Sequence, residues 1–361
     1  MKNKHTAALF NLQGAKATFK RVDCDKQVLY ICLMKNVATL VPETAVIEAV
    51  ADPQYLFKAV NQFFAASGKE VFFKVQLVGL SEEVMLENCS FSVHTDKLLK
   101  EVKKVDLVLI PALSGDMEQA LALNKKMVPW IVNQYNNGAE VASLCIGAFL
   151  LASTGLLNGK KCSTHWNSAN EFRQMFPAVE LVDGSIITEE NGIYSSGGAN
   201  SYWNLLLYLV EKYTDRETAI LASKYFAVDI DRESQNAFML FKGQKSHEDI
   251  EILKAQEFIE GHFTDKFTVD SLADKYAIGR RSFERRFKKA TNNTVVEYIQ
   301  RVKIEAAKRS FESSRKNINE VMFDVGYTDS KAFRTVFKKV TGLTPIEYRN
   351  KYNKQVIVEI A

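Results

Sequence analysis

The apolar and polar positions from 280 to 290 alternate with the period of an α-helix. Phe283, Phe287 and Ala290 stand at i, i+4 and i+7, which predicts one buried stripe. Another face of the same helix carries charged side chains, namely Arg281, Glu284, Arg285 and Lys288. We therefore expect a short helix, Arg280–Ala290, that is held by its phenylalanines and presents a mostly cationic surface.

The same pattern returns fifty residues later. The sixteen residues from Phe283 to Tyr298 align with Phe333 to Tyr348, and eight positions are identical. The second copy has its own apolar stripe, formed by Phe333, Phe337 and Val340. Its outward positions are Lys331, Arg334, Thr335 and Lys338. A repeat at this period indicates two copies of one supersecondary unit.

A shorter helical pattern precedes each copy after a tight turn. Thr268–Tyr276 is followed by the break Ala277–Gly279, and Ile318–Val325 is followed by the break Gly326–Asp329. Helix, short turn and helix is the helix-turn-helix pattern, whose second helix enters the major groove of DNA.

The segment between the copies and the charge of the region fit this interpretation. Val295–Phe311 predicts one connecting helix, with inward positions that include Val296, Ile299, Ile304 and Ala307. Residues 248–361 hold 22 Lys and Arg against 17 Asp and Glu, whereas the whole chain has a net charge of only +4. Local positive charge is the electrostatic footprint of phosphate binding. The alternative that stays open is a solvated basic face on an ordinary helical bundle.

Five stretches carry a recognisable signature: Leu272-Ala273, Phe283-x3-Phe287-Lys288-Lys289, Val325-Gly326-Tyr327, Phe333-x3-Phe337-Lys338 and Gly342-Leu343-Thr344-Pro345-x2-Tyr348-Arg349. Through them, residues 250–352 resemble the two-unit DNA-binding domain of AraC/XylS-type transcription regulators. The resemblance implies two recognition helices in successive major grooves on one face of double-stranded DNA, at an asymmetric operator.

Carried over by position, the resemblance assigns base reading to Arg281, Ser282, Glu284, Arg285, Ser330, Lys331, Arg334 and Thr335. Arg or Lys to guanine and Glu to cytosine are the pairings that geometry favours. Phosphate contacts, which position without specifying, are expected from Lys288, Lys289, Lys338 and Lys339. In the second turn Thr328 or Asp329 is suited to cap the next helix, whereas Gly279 stands where the family usually has a capping Ser.

Residues 28–213 alternate strand and helix patterns, which predicts a mostly parallel sheet with helices on both faces. The expected strands are Val28–Leu33, Val71–Val78, Val105–Ile110 and Glu140–Leu144. The expected helices are Gln54–Ala66, Met127–Asn137 and Asn200–Tyr213. Residues 227–247 have fewer periodic apolar positions and are expected to be a linker.

Composition sets further bounds. The chain is 47% hydrophobic and 25% charged over 361 residues, as in ordinary globular proteins, and no run of eighteen apolar residues predicts a membrane span. The five cysteines and five histidines show no metal-ligand spacing, so we expect no metal and no cofactor. Scattered cysteines, odd in number, and the absence of a signal-peptide pattern favour reduced thiols and a cytoplasmic protein.

One cysteine stands where α/β enzymes place a nucleophile. The strand ending at Leu144 leads directly into Cys145, and a helix through Thr154 follows. A helix N-terminus there is expected to lower the pKa of the thiol, and His165 is a candidate base. The alternative is that Cys145 is a buried small hydrophobe and His165 a structural residue. Similarly, Gly197-Gly198 before a helix suits either an anion or a plain turn.

A second resemblance concerns Cys145-x-Gly147-Ala148-Phe149, Gly155-Leu156-Leu157-x-Gly159, Thr164-His165-Trp166, Ser196-Gly197-Gly198, Leu209-Val210-Glu211, Arg232 and Gln235. These stretches resemble the PfpI-type, class I glutamine-amidotransferase-like domain, in the GlxA-like group that is fused to AraC-type regulators. The match is strong over about 140–245 and looser over 28–139. The family's acidic residue before a Gly-Pro pair is missing, because Asp52-Pro53 stands there, and Glu48 is the nearest replacement.

Together these patterns predict a flavodoxin-like α/β domain, 1–226, a linker, 227–247, an all-α domain with two helix-turn-helix units, 248–352, and a tail, 353–361. We expect a DNA-binding transcription regulator whose N-terminal domain senses a small effector near Cys145, His165 and Glu48 and forms a homodimer. A nitrogenous compound is a candidate for this effector. RNA polymerase is a further candidate partner. The alternatives are a Cys145/His165-dependent amidase or hydrolase tethered to DNA, and a Cys145 redox sensor.

Overall fold

The computed structural model describes residues 34–86, 90–230 and 234–353, together with the backbone of two strands, Lys20–Cys24 and Gln27–Ile31. The chain divides into two compact units, Met1–Glu233 and Ser234–Ala361. The division falls within the segment 227–247 that the sequence predicts as a linker. Several positions from the sequence analysis lie outside the described residues: Cys32, Leu33, Cys89, Arg232, the tail residues 354–361 and the side chain of Cys24.

Thirteen strands are described in the N-terminal unit: β1 (Lys20–Cys24), β2 (Gln27–Ile31), β3 (Lys35–Val41), β4 (Phe73–Gly79), β5 (Glu83–Leu86), β6 (Phe91–His94), β7 (Lys97–Leu98), β8 (Leu107–Ile110), β9 (Glu140–Ser143), β10 (Lys161–Cys162), β11 (Glu180–Leu181), β12 (Ile187–Glu190) and β13 (Ile193–Ser196). Its described α-helices are α1 (Ile47–Ala66), α2 (Met117–Asn124), α3 (Val128–Asn136), α4 (Ala148–Ser153), α5 (Ala169–Met175), α6 (Tyr202–Tyr213) and α7 (Arg216–Phe226).

Seven strands form the central sheet, in the order β12-β13-β9-β8-β3-β4-β7. Strand β12 is antiparallel to β13, and the other pairs are parallel. One apolar layer lies between the sheet and α1, α6 and α7, and a second lies between the sheet and α2, α3, α4 and α5. The predicted flavodoxin-like class, a mostly parallel sheet covered on both faces, is confirmed.

Three details of the sequence prediction are wrong at the N-terminal edge. The predicted strand at 28–33 is β2, which pairs antiparallel with β1 rather than joining the sheet. The first strand of the sheet is β3, whose Asn36 and Thr39 interrupt the apolar run that a buried strand usually shows. Helix α1 begins at Ile47 and continues through Pro53, so it starts earlier than the predicted helix Gln54–Ala66.

In the C-terminal unit, residues 239–249 are not helical, and the described residues that follow them form helices joined by short turns. Its α-helices are α8 (Ile250–Gly261), α9 (Val269–Lys275), α10 (Arg280–Thr291), α11 (Val295–Ser313), α12 (Ile318–Asp324), α13 (Ser330–Thr341) and α14 (Pro345–Tyr352). One core surrounds Phe283 and Phe287, and another surrounds Phe333 and Phe337. Helix α11 contributes to both, which agrees with the predicted connecting helix.

The predicted inward position of Val296 is wrong. Thr294 caps α11 by accepting a hydrogen bond from the backbone of Glu297, so that the helix begins at Val295. Val295 is buried, whereas Val296, turned about 100° around the helix axis, is 52% exposed. Ile304 and Ala307 are buried and Ile299 is partly buried, as expected.

A polar network fixes α6 to the sheet. Glu140, at the start of β9, accepts hydrogen bonds from Lys212 Nζ at 2.5 Å, from Tyr194 Oη at 3.0 Å and from Tyr213. Burial raises the pKa of the Glu140 carboxyl, but the hydrogen bonds from Lys212 and the tyrosines outweigh it, so that the folded-state pKa is lowered. The network therefore stabilises the fold while the carboxylate is ionised.

Replacing Glu140 should cost stability in a pH-dependent way. Because the folded-state pKa is lowered, the carboxylate's contribution is present above the unfolded pKa of about 4.3 and is lost as the pH falls through the folded value. We expect Glu140→Gln to lower the free energy of unfolding by about 1–3 kcal/mol at pH 7. The difference from wild type should shrink below about pH 4.3.

Tryptophan fluorescence during urea unfolding measures this effect selectively, because Trp130, Trp166 and Trp203 all belong to the N-terminal unit. Glu180→Gln, at an exposed position of β11, is the matched control and should leave stability unchanged. A Glu140→Gln deficit that stayed constant between pH 7 and pH 3 would contradict the assignment.

Candidate functional site

The two candidate recognition helices are α10 and α13, and each is held by two phenylalanines. Phe283 and Phe287 of α10 are fully buried, with ring centres 5.7 Å apart, and Phe287 packs edge-on against Tyr298. In α13, Phe333 and Phe337 repeat the 5.7 Å spacing, and Phe337 packs edge-on against Tyr348. Burial of these stripes leaves the opposite faces of both helices to solvent.

The turns that precede the two helices differ by one residue. Ala277 adopts a left-handed conformation, with φ of 52°, two residues before Gly279, the N-cap residue of α10. Gly326 does the same with φ of 75°, but three residues before the cap Asp329. The helices α9 and α12 are consequently 49 residues apart, whereas α10 and α13 are 50 apart. A β-carbon at Gly326 would lie 2.7 Å from Thr264 O, so this turn requires glycine.

The N-termini of the two recognition helices are fixed by different means. Asp329 accepts a hydrogen bond from the backbone of Ala332 at 2.7 Å and caps α13. Gly279 gives α10 no side-chain cap.

Two arginine–aspartate pairs hold α10 instead. Arg280 donates to both carboxylate oxygens of Asp270, at 3.1 and 2.9 Å. Arg286 donates to both oxygens of Asp249, at 2.8 and 2.5 Å, and this pair lowers the pKa of the Asp249 carboxyl. These two arginines therefore position the helix, and they were not among the residues singled out from the sequence.

The predicted base-reading residues occupy the outward faces of both helices, all exposed or partly exposed. No ion pair of Arg281, Arg285, Lys331 or Arg334 occurs within the described part of the chain. Glu284 lies 3.5 Å from Arg280, and the Thr335 hydroxyl donates to the carbonyl of Lys331 at 2.8 Å. Those two side chains are thus already partly engaged within the protein, whereas the four cations are available.

The four lysines predicted to meet phosphates are all exposed at the C-terminal ends of these helices. Lys288 donates to the carbonyl of Asn292 at 2.8 Å and lies 4.0 Å from Glu297. Lys289 lines a cavity of about 460 Å³ between α10 and the start of α8, together with Arg285 and Arg286. Lys338 and Lys339 carry no ion pair among the described side chains.

In the N-terminal unit, Cys145 occupies a sharp elbow between β9 and α4. Its φ of 54° is a left-handed conformation that non-glycine residues rarely adopt. The elbow is tight because a β-carbon on Gly147 would lie 2.4 Å from Pro111 O. The Cys145 backbone N–H donates to Ser196 Oγ at 3.2 Å, and Thr164 Oγ1 donates to the Cys145 carbonyl at 3.2 Å. The backbone geometry matches that of a nucleophile elbow.

The chemistry expected at that elbow is not supported. Burial raises the pKa of the Cys145 thiol to about 12, against the small lowering effect of the Ile146 N–H, so the prediction of a lowered pKa is wrong. The side chain is only 3% exposed, and α4 is a helix of six residues with little dipole to offer. The thiol at this elbow is therefore held in its neutral form.

His165 does not act on this thiol in the structure. Its Nδ1 accepts a hydrogen bond from the backbone of Asn167 at 3.2 Å, and burial lowers the pKa of the ring. No hydrogen bond between Cys145 and His165 is present among the contacts of the described residues. The two residues that the sequence paired remain a thiol and an imidazole without a proton-transfer contact.

Glu48, the nearest replacement for the family's acidic residue, lies in the first turn of α1 and is exposed. The acidic group that the structure orients is Asp52. Its Oδ2 accepts hydrogen bonds from Tyr202 Oη at 2.6 Å and from Trp203 Nε1 at 2.9 Å. Burial raises the pKa of Tyr202, and so do this hydrogen bond and the nearby Asp52, Glu48 and Cys145.

Near the elbow, these residues place carboxylates beside aromatic rings. Asp52 and Tyr202 are 150 positions apart in the chain, so no local sequence pattern predicted their contact. The only sequence signal was the substitution of Asp52-Pro53 for the family's Gly-Pro pair.

The Gly197-Gly198 segment forms a turn. The Gly197 N–H donates to the carbonyl of Ile186 at 2.9 Å, and Gly198 has a φ of 74°. One of the two N–H groups that were candidates for an anion is therefore used within the protein. Within the described residues, no group of three or more His, Cys, Asp or Glu side chains is arranged to hold a metal, and no helix is long and apolar enough to cross a membrane.

Comparisons with known proteins agree with this division of the chain. Residues 57–212 match the profile of the DJ-1/PfpI family, and residues 272–351 match that of a helix-turn-helix domain. The HTH-type transcriptional regulator ArgR of Pseudomonas aeruginosa is 24% identical over 60% of this chain and 65% of its own length. The regulator GbdR of the same species is 22% identical over 78% of this chain and 76% of its own.

Among solved structures, an AraC family transcriptional regulator from Pseudomonas putida is 16% identical. The superposition covers 53% of this chain and 99% of that one, with a TM-score of 0.45.

The buried thiol gives a direct test of the site chemistry. Because its pKa is raised to about 12, Cys145 should react with iodoacetamide at pH 7.5 at least about a hundredfold more slowly than free cysteine. Peptide mass spectrometry of the native chain measures the rate at this position, and the urea-unfolded chain, in which the thiol is exposed, is the control. Rapid native-state modification would show that a reactive thiolate exists.

Proposed function

We propose that one protomer of this chain, a DNA-binding regulator of the AraC type with a DJ-1/PfpI domain, binds two unlike DNA half-sites through α10 and α13. The observation that supports this most strongly is the pair of exposed cationic faces on helices that are each held by two buried phenylalanines. Arg281 and Arg285 on the first face differ in chemistry from Lys331 and Arg334 on the second. Unlike faces favour unlike half-sites, about one helical turn or 34 Å apart.

Within each half-site the side chains divide by chemistry. The available arginines and lysines on the outward faces are proposed to contact guanine edges, with Ser282, Glu284, Ser330 and Thr335 beside them. The lysines at the helix ends, Lys289, Lys338 and Lys339, are proposed to contact phosphates. Lys288 is a weaker candidate than the other three, because it already caps the end of α10.

The N-terminal domain is proposed to bind a small nitrogenous effector at the elbow. Asp52 has two hydrogen-bond donors fixed on one oxygen, and Glu48 and the rings of Tyr202 and Trp203 lie nearby. Carboxylates beside aromatic rings suit a cationic nitrogen. The effector must bind one arrangement of the protein better than another if it is to change DNA affinity.

Binding rather than catalysis is the better interpretation of this cluster of residues. A Cys145-dependent hydrolase and a redox sensor both need a thiolate, whereas burial keeps the Cys145 thiol neutral. The relatives ArgR and GbdR are named as transcriptional regulators. We further propose a cytoplasmic protein that forms a homodimer through its N-terminal domain, with RNA polymerase as a partner at the promoter.

Two substitutions separate base reading from phosphate contact. Arg285→Ala should relax the preference at one or two base pairs of one half-site, at a cost of about 1–3 kcal/mol for the preferred sequence. Lys338→Ala should weaken binding to all sequences about equally and reduce the slope of log affinity against log salt by about 1. Titration of DNA variants at several salt concentrations measures both effects.

Lys254→Ala, on the exposed side of α8, is the matched control and should change neither quantity. Equal losses on every sequence for both Arg285→Ala and Lys338→Ala would remove the base-reading assignment of Arg285.

The effector proposal depends on the Asp52 carboxylate. Thermal shift measures stabilisation of the wild-type chain by amines and quaternary ammonium compounds, with carboxylates of similar shape for comparison. We expect only the cations to stabilise it. Asp52→Asn should weaken that binding by about tenfold or more, because a charged hydrogen-bonding partner is lost. Glu180→Gln is again the control. Stabilisation by a cation that survives Asp52→Asn would place its site elsewhere.

A further inference from the structure

The chain enters the C-terminal unit through residues 236–249, which we call the strap. The sequence predicts most of this segment as a linker, yet it packs along the helices. Its first part lies against α14, where Tyr352 Oη donates to the carbonyl of Ala237 at 3.2 Å. Lys351 Nζ of the same helix lies 4.7 Å from the centre of the Phe238 ring. The strap thus begins on the second helix-turn-helix unit.

The middle of the strap crosses α11 over a buried ion pair. Lys308 Nζ donates to Glu305 Oε2 at 2.8 Å and to the carbonyl of Met239 at 2.5 Å. Glu305 Oε2 also accepts from the backbone N–H of Phe241 at 3.1 Å. The two charged side chains are only 4% and 8% exposed, so the strap backbone supplies hydrogen bonds that this pair needs.

The last part of the strap reaches the first helix-turn-helix unit. Gln256 Nε2 of α8 donates to the carbonyl of Gln244 at 2.8 Å and to Tyr298 Oη at 3.0 Å. The strap ends at Asp249, whose carboxylate accepts two hydrogen bonds from Arg286 of recognition helix α10. One continuous segment therefore contacts α14, α11, α8 and α10 in turn.

Gly243 marks the closest approach of the strap to the helices. Its φ is +69°, and a β-carbon there would lie 2.4 Å from Tyr298 Oη and 3.0 Å from Glu260 Oε1. Any other residue at this position must displace either the strap or the Tyr298 hydroxyl, which donates to Glu260 at 2.6 Å.

We infer that the strap sets the position of the two recognition helices relative to each other, and that Gly243, Glu305 and Lys308 are positioning residues for DNA recognition. Helix α11 contributes to the cores of both helix-turn-helix units, and Phe263, between α8 and α9, packs against the second core. The strap holds the two units at a further set of points. The inference rests on the proposed reading of two half-sites. Its consequence is that the strap determines which half-site spacing the protein accepts.

Half-site spacing gives a readout that simple destabilisation would not change. One added base pair moves the second half-site by about 3.4 Å and turns it by about 35° around the DNA axis. An operator is first selected from random DNA with the wild-type full-length chain, and its half-sites are then moved apart or together by one and two base pairs. We expect one added base pair to lower wild-type affinity about tenfold.

Gly243→Ala should flatten this profile, so that one added base pair lowers affinity by less than about threefold. Gly261→Ala is the matched control, because a β-carbon there meets no atom within 4 Å, and it should keep the wild-type profile. Hydrogen exchange at 239–245 verifies that the strap is displaced. The double variant Glu305→Gln/Lys308→Met, which removes the ion pair beneath the strap, is the second test and should flatten the profile in the same way.

A displaced strap with an unchanged spacing profile would overturn the inference, and so would retention of the wild-type profile in both the glycine variant and the double variant. Failure of the wild-type chain to select any DNA sequence is a different result. It would overturn the proposed function itself.

Discussion

Each recognition helix must bury one face firmly while the opposite face stays in water, and two phenylalanines four residues apart meet that requirement in both copies. Phe283 and Phe287 pack into a core with Tyr298, and Phe333 and Phe337 into a core with Tyr348. The buried rings fix the rotation of α10 and α13 about their axes. That rotation decides which side chains point outward, so the assignment of Arg281, Arg285, Lys331 and Arg334 depends on it.

The two copies share this scaffold and differ in the details that control each helix. Helix α13 is capped by Asp329, whereas α10 has Gly279 at the same place and is held by Asp270 and Asp249 through arginines. An ion-paired helix is more sensitive to salt than a capped one, because exposed pairs are screened. The single chain therefore contains two similar units that differ in the outward faces of their recognition helices and in the contacts that hold the helix N-termini.

The sequence predicted the DNA-binding unit in detail because its information is local. Helical periodicity is visible within twenty residues, and the repeat is visible when two stretches of sixteen residues are compared. Helices α10, α11 and α13 begin at or next to the expected positions. The elbow at Cys145 was also predicted, but its pKa was not, since desolvation of the thiol depends on α6, β13 and other distant segments. The Asp52–Tyr202 contact and the strap on Lys308 join residues far apart in the chain, so no spacing revealed them.

The elbow has the backbone geometry of a nucleophile elbow without a proton-transfer contact. Cys145 is left-handed and Gly147 lies against Pro111 O, while burial raises the pKa of the thiol and His165 hydrogen-bonds elsewhere. Asp52, hydrogen-bonded by Tyr202 and Trp203, is an oriented carboxylate near this elbow. This combination suits recognition of a ligand, and the strap is proposed to position the two recognition helices.

One chain is proposed to read two unlike half-sites with two unlike helices. Hydroxyl-radical footprinting of the full-length chain tests this proposal on the selected operator and on operators in which either half-site is replaced by a copy of the other. We expect two protected windows on one face of the DNA, about one helical turn apart for each bound chain, and loss of both when a half-site is replaced. Equal protection of an operator with two identical half-sites would contradict it.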